Sequence, residues 1–344
     1  MKAYTQHYIN GEWVEASSSQ YLEVTDSNTE AVMATVPAGT AQEAAQAVMA
    51  ARAAFAGWSA LSVEERAVYL DKITAGLKAR SDELTTTIAS EVGMPLKMAG
   101  MVQVGMPIFN WGNFAKVARQ FEFESEIKNS LIVREAIGVV GCITPWNFPL
   151  NQIALKVAPA LVAGCTVVLK PSEIAPINAI ILAEVIHAAG LPAGVFNLVN
   201  GLGPEVGEVL ASHPEVDMVS FTGSTRAGKR VGELASQTIK RVALELGGKS
   251  ASVVLDDADF PAAIKGSVGA CLLNSGQTCS AHTRLLVPES RYEEAKTLAQ
   301  GVIERFTIGS AFDETSKLGP LVSAAQRDRV LHLIQLGLDE GAEL

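Results

Sequence analysis

Cys279 closes the segment Asn274-Ser275-Gly276-Gln277-Thr278-Cys279, and upstream of it Glu245 opens Glu245-Leu246-Gly247-Gly248-Lys249. A thiolate is the reactive form of cysteine, and a carboxylate can serve it as general base in a covalent mechanism. Glycines beside that carboxylate let a cofactor or substrate come close to the backbone. Taken alone, a free cysteine is more often a small buried hydrophobe, so this pairing gains meaning only from the rest of the chain.

Three further segments can do chemistry. Thr144-Pro145-Trp146-Asn147-Phe148-Pro149 is a stiff loop with one side-chain amide able to donate, which is what an oxyanion site requires. The plainer reading is a turn in which Asn147 bonds its own backbone. Leu169-Lys170-Pro171-Ser172-Glu173 ends an apolar strand, where a lysine and a glutamate can bond ribose hydroxyls and the glutamate would repel a 2′-phosphate. The plainer reading there is two solvated charges beside a helix start, with Ser172 as the cap. Phe221-Thr222-Gly223-Ser224-Thr225-Arg226-Ala227-Gly228 follows a strand and opens a helix, so free N–H groups and the helix dipole favour a pyrophosphate. Its G-x-x-x-x-G spacing matches neither the common dinucleotide fingerprint nor a Walker loop, and a strand-to-helix turn explains it about as well. His282 lies close to Cys279 in sequence, but such pairs are recognised by geometry, and a cysteine-protease reading is set aside.

The elements that must position these residues follow from patterning. An alanine-rich helix is expected at about 41–58, and a second, opened by the capping box Ser62-Val63-Glu64-Glu65, runs to about Val92. Alternating charge and hydrophobicity over 121–140 reads as an exposed hairpin. From Gly138 to Leu246, strands at 165–169, 195–199, 218–221 and 242–246 alternate with helices near 178–189, 205–212 and 226–236. This βαβ rhythm predicts a doubly wound parallel sheet with ligands at the carboxyl ends of its strands. After Gly248 the rhythm restarts with a strand at 251–255, a helix from about Phe260 and a strand at 284–287.

Composition bounds the possibilities. The 344 residues suffice for about two domains, and 48% hydrophobic with 19% charged residues describes a globular chain. A formal charge of −10 without a Lys/Arg cluster argues against nucleic acid. The longest apolar run, Val157–Leu169, holds Pro159 and Gly164 and is too short for a bilayer, so it reads as core and no membrane partner is expected. Four cysteines without metal-ligand spacing, and a start without a secretory apolar stretch, fit reduced thiols in a cytoplasmic protein with no metal.

Together, Pro145-Trp146-Asn147-Phe148-Pro149, Lys170-Pro171-Ser172-Glu173, Phe221-Thr222-Gly223-Ser224, Leu244-Glu245-Leu246-Gly247-Gly248-Lys249 and Gly276-Gln277-Thr278-Cys279 resemble the aldehyde dehydrogenase superfamily. The resemblance runs from Ile9-Asn10-Gly11-Glu12-Trp13 to Leu318-Gly319-Pro320-Leu321. It implies an α/β chain: a doubly wound parallel-sheet NAD(P)-binding domain (1–120 and 141–247), an oligomerisation hairpin (121–140) and a second, here incomplete, α/β catalytic domain (248–344). It implies Cys279 as nucleophile, Asn147 with the Cys279 backbone N–H as oxyanion donors, and Glu245 as the base that hydrolyses the thioester. Thr144, Trp146, Lys170, Ser172, Glu173, Gly223, Ser224, Leu246 and Gly247 would surround the cofactor: NAD by the tilt of Glu173, with NADP admissible. The substrate would be a small-molecule aldehyde, with Asn151, Gln152 and Leu155 on the helical face of its entry tunnel, and a complete chain would form a homo-oligomer, dimer or tetramer. The resemblance also implies a longer catalytic domain, because a later Glu-x-Phe-Gly-Pro motif is not among these residues. Two other functions stay open: a catalytically silent nucleotide-binding or assembly protein, and a coenzyme-A-acylating dehydrogenase, against which the presence of Glu245 argues.

Overall fold

The computed structural model describes residues 1–343. The chain divides into two compact units, one of Met1–Val24, Met33–Ile88 and Met98–Leu246, the other of Thr25–Val32, Ala89–Lys97 and Gly247–Leu344.

The first unit is organised by a seven-stranded sheet in the order Arg241–Leu246, Met218–Gly223, Val139–Ile143, Thr166–Lys170, Phe196–Leu198, Gln6–Ile9, Glu12–Glu15. Its first five strands are parallel, and the last two, from the amino terminus, are added antiparallel. Val139–Ile143 and Thr166–Lys170 are buried at every position. That is why they read as continuous apolar runs, since a parallel strand in a doubly wound sheet is covered on both faces. Helices Ala41–Ser59 and Thr225–Ser236 pack on one face, where Ala44, Ala47, Val48, Val168, Val219 and Val231 share a core. Helices Pro149–Val162, Ile177–Ala188, Val63–Ala79 and Met106–Gln120 form the layer on the other. The chain leaves Val139–Ile143 toward Thr166–Lys170 and later returns to its other side through Met218–Gly223. The order reverses there, which in open α/β sheets is where ligands bind.

Both expected helix starts are present as reciprocal caps: Thr40 with Glu43, and Ser62 with Glu65. The second helix is interrupted, however. It ends at Ala79 with Arg80 at φ −108°, and a new helix spans Ser81–Val92. The apolar run 157–169 is two elements, the end of a helix and a strand, joined through Gly164 at φ 97°. The expected helix near 205–212 opens with a π-helical turn, Gly203–Gly207. A second π-helical stretch, Ala99–Gly105, leads into Met106–Gln120, and neither was legible in the sequence. The hairpin is narrower than 121–140: Glu124–Ile127 pairs with Ser130–Val133, leaving Ile127 and Leu131 exposed.

In the second unit, Ala251–Val253 pairs in parallel with Arg284–Leu286. Helices Phe260–Leu272 and Tyr292–Ile303 pack with Val254 into a small core, and the Arg291 guanidinium lies 3.7 Å from the centre of the Phe260 ring. A last helix spans Ala324–Asp339. No helix among the described residues is long and apolar enough to cross a membrane.

Candidate active site

Four of the expected segments lie at the carboxyl ends of neighbouring parallel strands of the first unit. The Asn147 loop follows Val139–Ile143, Lys170 ends Thr166–Lys170, Ser224 follows Met218–Gly223, and Glu245 and Leu246 end Arg241–Leu246.

Lys170 is 3% exposed. Its Nζ donates to the Pro171 carbonyl at 2.8 Å and lies 3.1 Å from the Glu173 carboxylate. Burial pushes its ammonium below the usual lysine range, and Glu173 offsets part of that shift. Two solvated charges are therefore not what the structure contains. Nor does Ser172 cap a helix: its Oγ accepts from the Ile174 N–H at 3.2 Å, while the helix begins only at Ile177 after Pro176. Thr144 donates its backbone N–H to the Lys170 carbonyl, and its Oγ1 is buried without a partner among the described residues. At the reversal of strand order, Ile143, Pro204, Phe221, Ala227 and Val231 line an apolar cavity of about 230 Å³. Gly207 packs beside them: a Cβ there would lie in ordinary contact with Ile143 and the Lys170 stem, at 3.7 and 3.8 Å.

Ser224 caps helix Thr225–Ser236, its Oγ accepting from the Ala227 N–H at 3.2 Å. Gly228 lets that helix approach the sheet, because a Cβ there would fall 2.5 Å from Leu246. Leu246 and Glu245 point to opposite faces, as successive strand residues must. Glu245 is in register with Thr222, on the face covered by helix Pro149–Val162. On that face Thr222 Oγ1 donates to Gln152 Oε1 at 3.2 Å and Lys156 Nζ donates to Ser220 Oγ at 3.1 Å. Asn151 and Gln152 do not share a face: Asn151 accepts from Asn110 at 2.8 Å and Gln152 meets the sheet, while Leu155 is exposed.

Asn147 sits in the loop entering the same helix. Its Oδ1 accepts from the Phe148 N–H at 3.0 Å, and its backbone carbonyl accepts from Gln103 Nε2 at 2.8 Å. The local turn bond is thus present, and it takes the amide oxygen. Trp146 beside it is half-buried.

In the second unit Cys279 is exposed. It follows three consecutive left-handed residues, Asn274 (φ 54°), Ser275 (φ 56°) and Gly276 (φ 77°). Gln277 braces them: Nε2 donates to the Asn274 carbonyl at 3.1 Å, and Oε1 accepts from the Val322 N–H at 3.0 Å. Ser275 Oγ donates to the Gly319 carbonyl at 2.8 Å, and Thr278 Oγ1 to the Leu273 carbonyl at 3.1 Å. A Cβ on Gly247 would meet open space, and one on Gly248 would lie 3.4 Å from the Cys279 carbonyl. His282 Nδ1 is buried with no partner among the described residues.

The profile of the aldehyde dehydrogenase family matches residues 13–344. This chain belongs to the aldehyde dehydrogenase family. It is 46% identical to a 3-succinoylsemialdehyde-pyridine dehydrogenase of a Pseudomonas species, over all of this chain and 72% of that relative. A mutant of aldehyde dehydrogenase C from Pseudomonas syringae, solved with NAD+ and octanal, superimposes with a TM-score of 0.96 at 45% identity. That match covers 99% of this chain and 70% of the other. Betaine aldehyde dehydrogenase of Staphylococcus aureus, solved with NAD+, superimposes with a TM-score of 0.95 at 34% identity, covering 99% of this chain and 69% of its own.

One buried cation on the Glu245 face of the sheet lies outside every motif: Lys156. Burial pushes its ammonium below the usual lysine range, while Cys142 and the Glu245 carboxylate pull it back up. Burial also pushes the Cys142 thiol up to about 12, with Lys156 pulling the other way. A lysine inside an apolar helical run was the signal, since lysine is almost never buried without a partner.

Proposed function

We propose that this aldehyde dehydrogenase oxidises an aldehyde to a carboxylic acid with NAD through a covalent adduct on Cys279. The observation that carries the reading is the convergence of the Asn147 loop, Lys170, Ser224 and Glu245 on one end of one parallel sheet. Lys170 and Glu173 would bind the adenosine ribose, with Thr144 Oγ1 and Ser172 alongside. The apolar cavity beside Ile143 and Phe221 would take the flat adenine. The Ser224 turn, Gly223 and the Trp146 backbone would receive the pyrophosphate at a helix N-terminus, and Leu246 and Gly247 would leave room for the nicotinamide. The Glu173 carboxylate disfavours a 2′-phosphate, which selects NAD, although NADP can still be accepted.

Cys279 Sγ attacks the aldehyde carbonyl, and the oxygen of the resulting thiohemiacetal is held by Asn147 Nδ2 and the Cys279 backbone N–H. Such donors stabilise the charged adduct more than the planar substrate. Bound NAD supplies the acceptor for the hydride that leaves this carbon. Glu245 takes a proton from the water that hydrolyses the thioester, which frees the thiol and the acid. The relatives named for, or solved with, quite different aldehydes leave the substrate at that class. Residues 1–120 and 141–247 would hold cofactor and residues 248–344 the nucleophile. The exposed Ile127 and Leu131 of hairpin 121–140 would join copies into a dimer or tetramer, and the four unpaired cysteines fit a reducing cytoplasm.

The test is NADH formation with NAD and a panel of aldehydes. Cys279→Ala should lower turnover by at least about 10⁴-fold while NAD binding, followed by calorimetry, stays intact. Turnover surviving in that variant would overturn the reading.

A further inference from the structure

We propose that Gln103 is a positioning residue that aims Asn147 at the oxyanion. The inference rests on the oxyanion role proposed above for Asn147 and adds a residue outside every motif.

The backbone carbonyl of Asn147 lies one residue before the helix Pro149–Val162 begins to use its carbonyls, the first being Phe148, which accepts from the Gln152 N–H at 2.9 Å. Pro145 and Pro149 flank it without N–H groups to offer. The partner comes instead from a distant stretch of chain, Gln103 Nε2 at 2.8 Å. With Phe148 N–H on its Oδ1, Asn147 is clamped at both carbonyls, and the direction of its amide nitrogen follows from the clamp.

Two features say that Gln103 is there for this bond. Its side chain is fully buried, yet its Oε1 has no hydrogen-bond partner among the described residues. Buried acceptors without partners are costly and rare, so the amide is placed for its donor at the expense of its acceptor. It also sits inside the π-helical stretch Ala99–Gly105, between α-helical segments Leu96–Met98 and Met106–Gln120. A wide turn rotates the residues after it relative to a regular helix, and such turns gather at functional sites.

The experiment compares Gln103→Leu, of similar volume, with Asn147→Ala and the double variant, each in the whole protein. Gln103→Leu should lower kcat about tenfold to a hundredfold, since small misplacements of a catalytic group act on that scale. NAD affinity and melting temperature should stay near those of the unsubstituted protein, because leucine removes the unpaired acceptor along with the donor. In the Asn147→Ala background the same change should add less than about a twofold loss. An unchanged kcat in Gln103→Leu, the same loss in both backgrounds, or a fall in melting temperature that parallels the loss would each overturn the proposal. Should Asn147→Ala itself, or the unsubstituted protein, fail to behave as a dehydrogenase requires, the oxyanion reading falls and this one with it.

Discussion

Two glutamines brace the two segments proposed above to carry the reacting groups, and they work on different material. Gln103, in the first unit, reaches from a helical frame to a loop with no left-handed residue between Pro145 and Pro149. Gln277, in the second, clasps three consecutive left-handed residues just before Cys279. An L-residue in that conformation costs about 1–2 kcal/mol, so the turn before the cysteine holds strain that the Asn147 loop does not. The difference follows from exposure. Asn147 can be aimed by neighbours packed around a half-buried loop, whereas an exposed thiol must be placed through its own backbone. Strain of this kind persists only where the surroundings over-determine it, and Gln277, Ser275 and Thr278 supply the ties.

The strained turn should fail without its brace. Gln277→Ala removes the bond to the Asn274 carbonyl and leaves the Val322 N–H, in a residue 2% exposed, without its acceptor. An orphaned buried donor costs about 1–3 kcal/mol, and the loss of alignment should lower turnover about 10²-fold. Gln277→Glu keeps an acceptor for Val322 but not the donor, and should fall between. Turnover within about twofold of the unsubstituted protein in Gln277→Ala would mean the turn stands unaided. A smaller effect is expected within the turn itself. Ser275→Val places a β-branched residue at φ 56° and removes the bond to Gly319. Urea unfolding should show a loss of about 2 kcal/mol, and no loss would show that the turn is not strained.

The parts of this molecule governed by local pattern were legible in its sequence. The parallel strands announced themselves because burial on both faces demands unbroken Val, Ile and Leu, as in Thr166–Lys170. The capping box at Ser62 could be read because its partner, Glu65, lies three residues away. Lys170 could be nominated but not weighed: that its side chain is only 3% exposed depends on packing from parts of the chain that its own segment does not reveal. The two braces were hidden for the same reason. Gln103 looks like any polar residue in a helical stretch, since nothing in its neighbours reveals a π-helical turn or a bond to Asn147. The left-handed run at Asn274 and Ser275 was equally silent, because neither residue requires that conformation and the ties of Ser275 and Gln277 that accompany it reach distant residues.

Neither brace carries a titratable proton, so mild acid should leave both in place, and the acid response of the first unit should come from elsewhere. His7 is the group to follow. It is 1% exposed, its Nδ1 accepts from the Asn200 N–H at 3.3 Å, and its Nε2 lies 3.6 Å from the Glu43 carboxylate. Burial holds its pKa below the ordinary 6.5, and the Glu43 charge recovers part of the shift. Well above about pH 6.5 the imidazole is neutral in both states and contributes no slope. As pH falls through that value, the unfolded chain takes up a proton that the folded one refuses, so stability falls until the folded pKa is reached. Burial alone would raise the Glu43 carboxyl, but hydrogen bonds from Ser17 and Thr40 outweigh it and hold the group below the usual range. Its contribution is therefore lost only under more acidic conditions. His7→Gln keeps an acceptor for Asn200 and removes the titration. Urea midpoints should then change by less than about 1 kcal/mol in stability at about pH 7, with a shallower decline between about pH 7 and 5. An unchanged decline would place the acid-sensitive group outside this buried cluster.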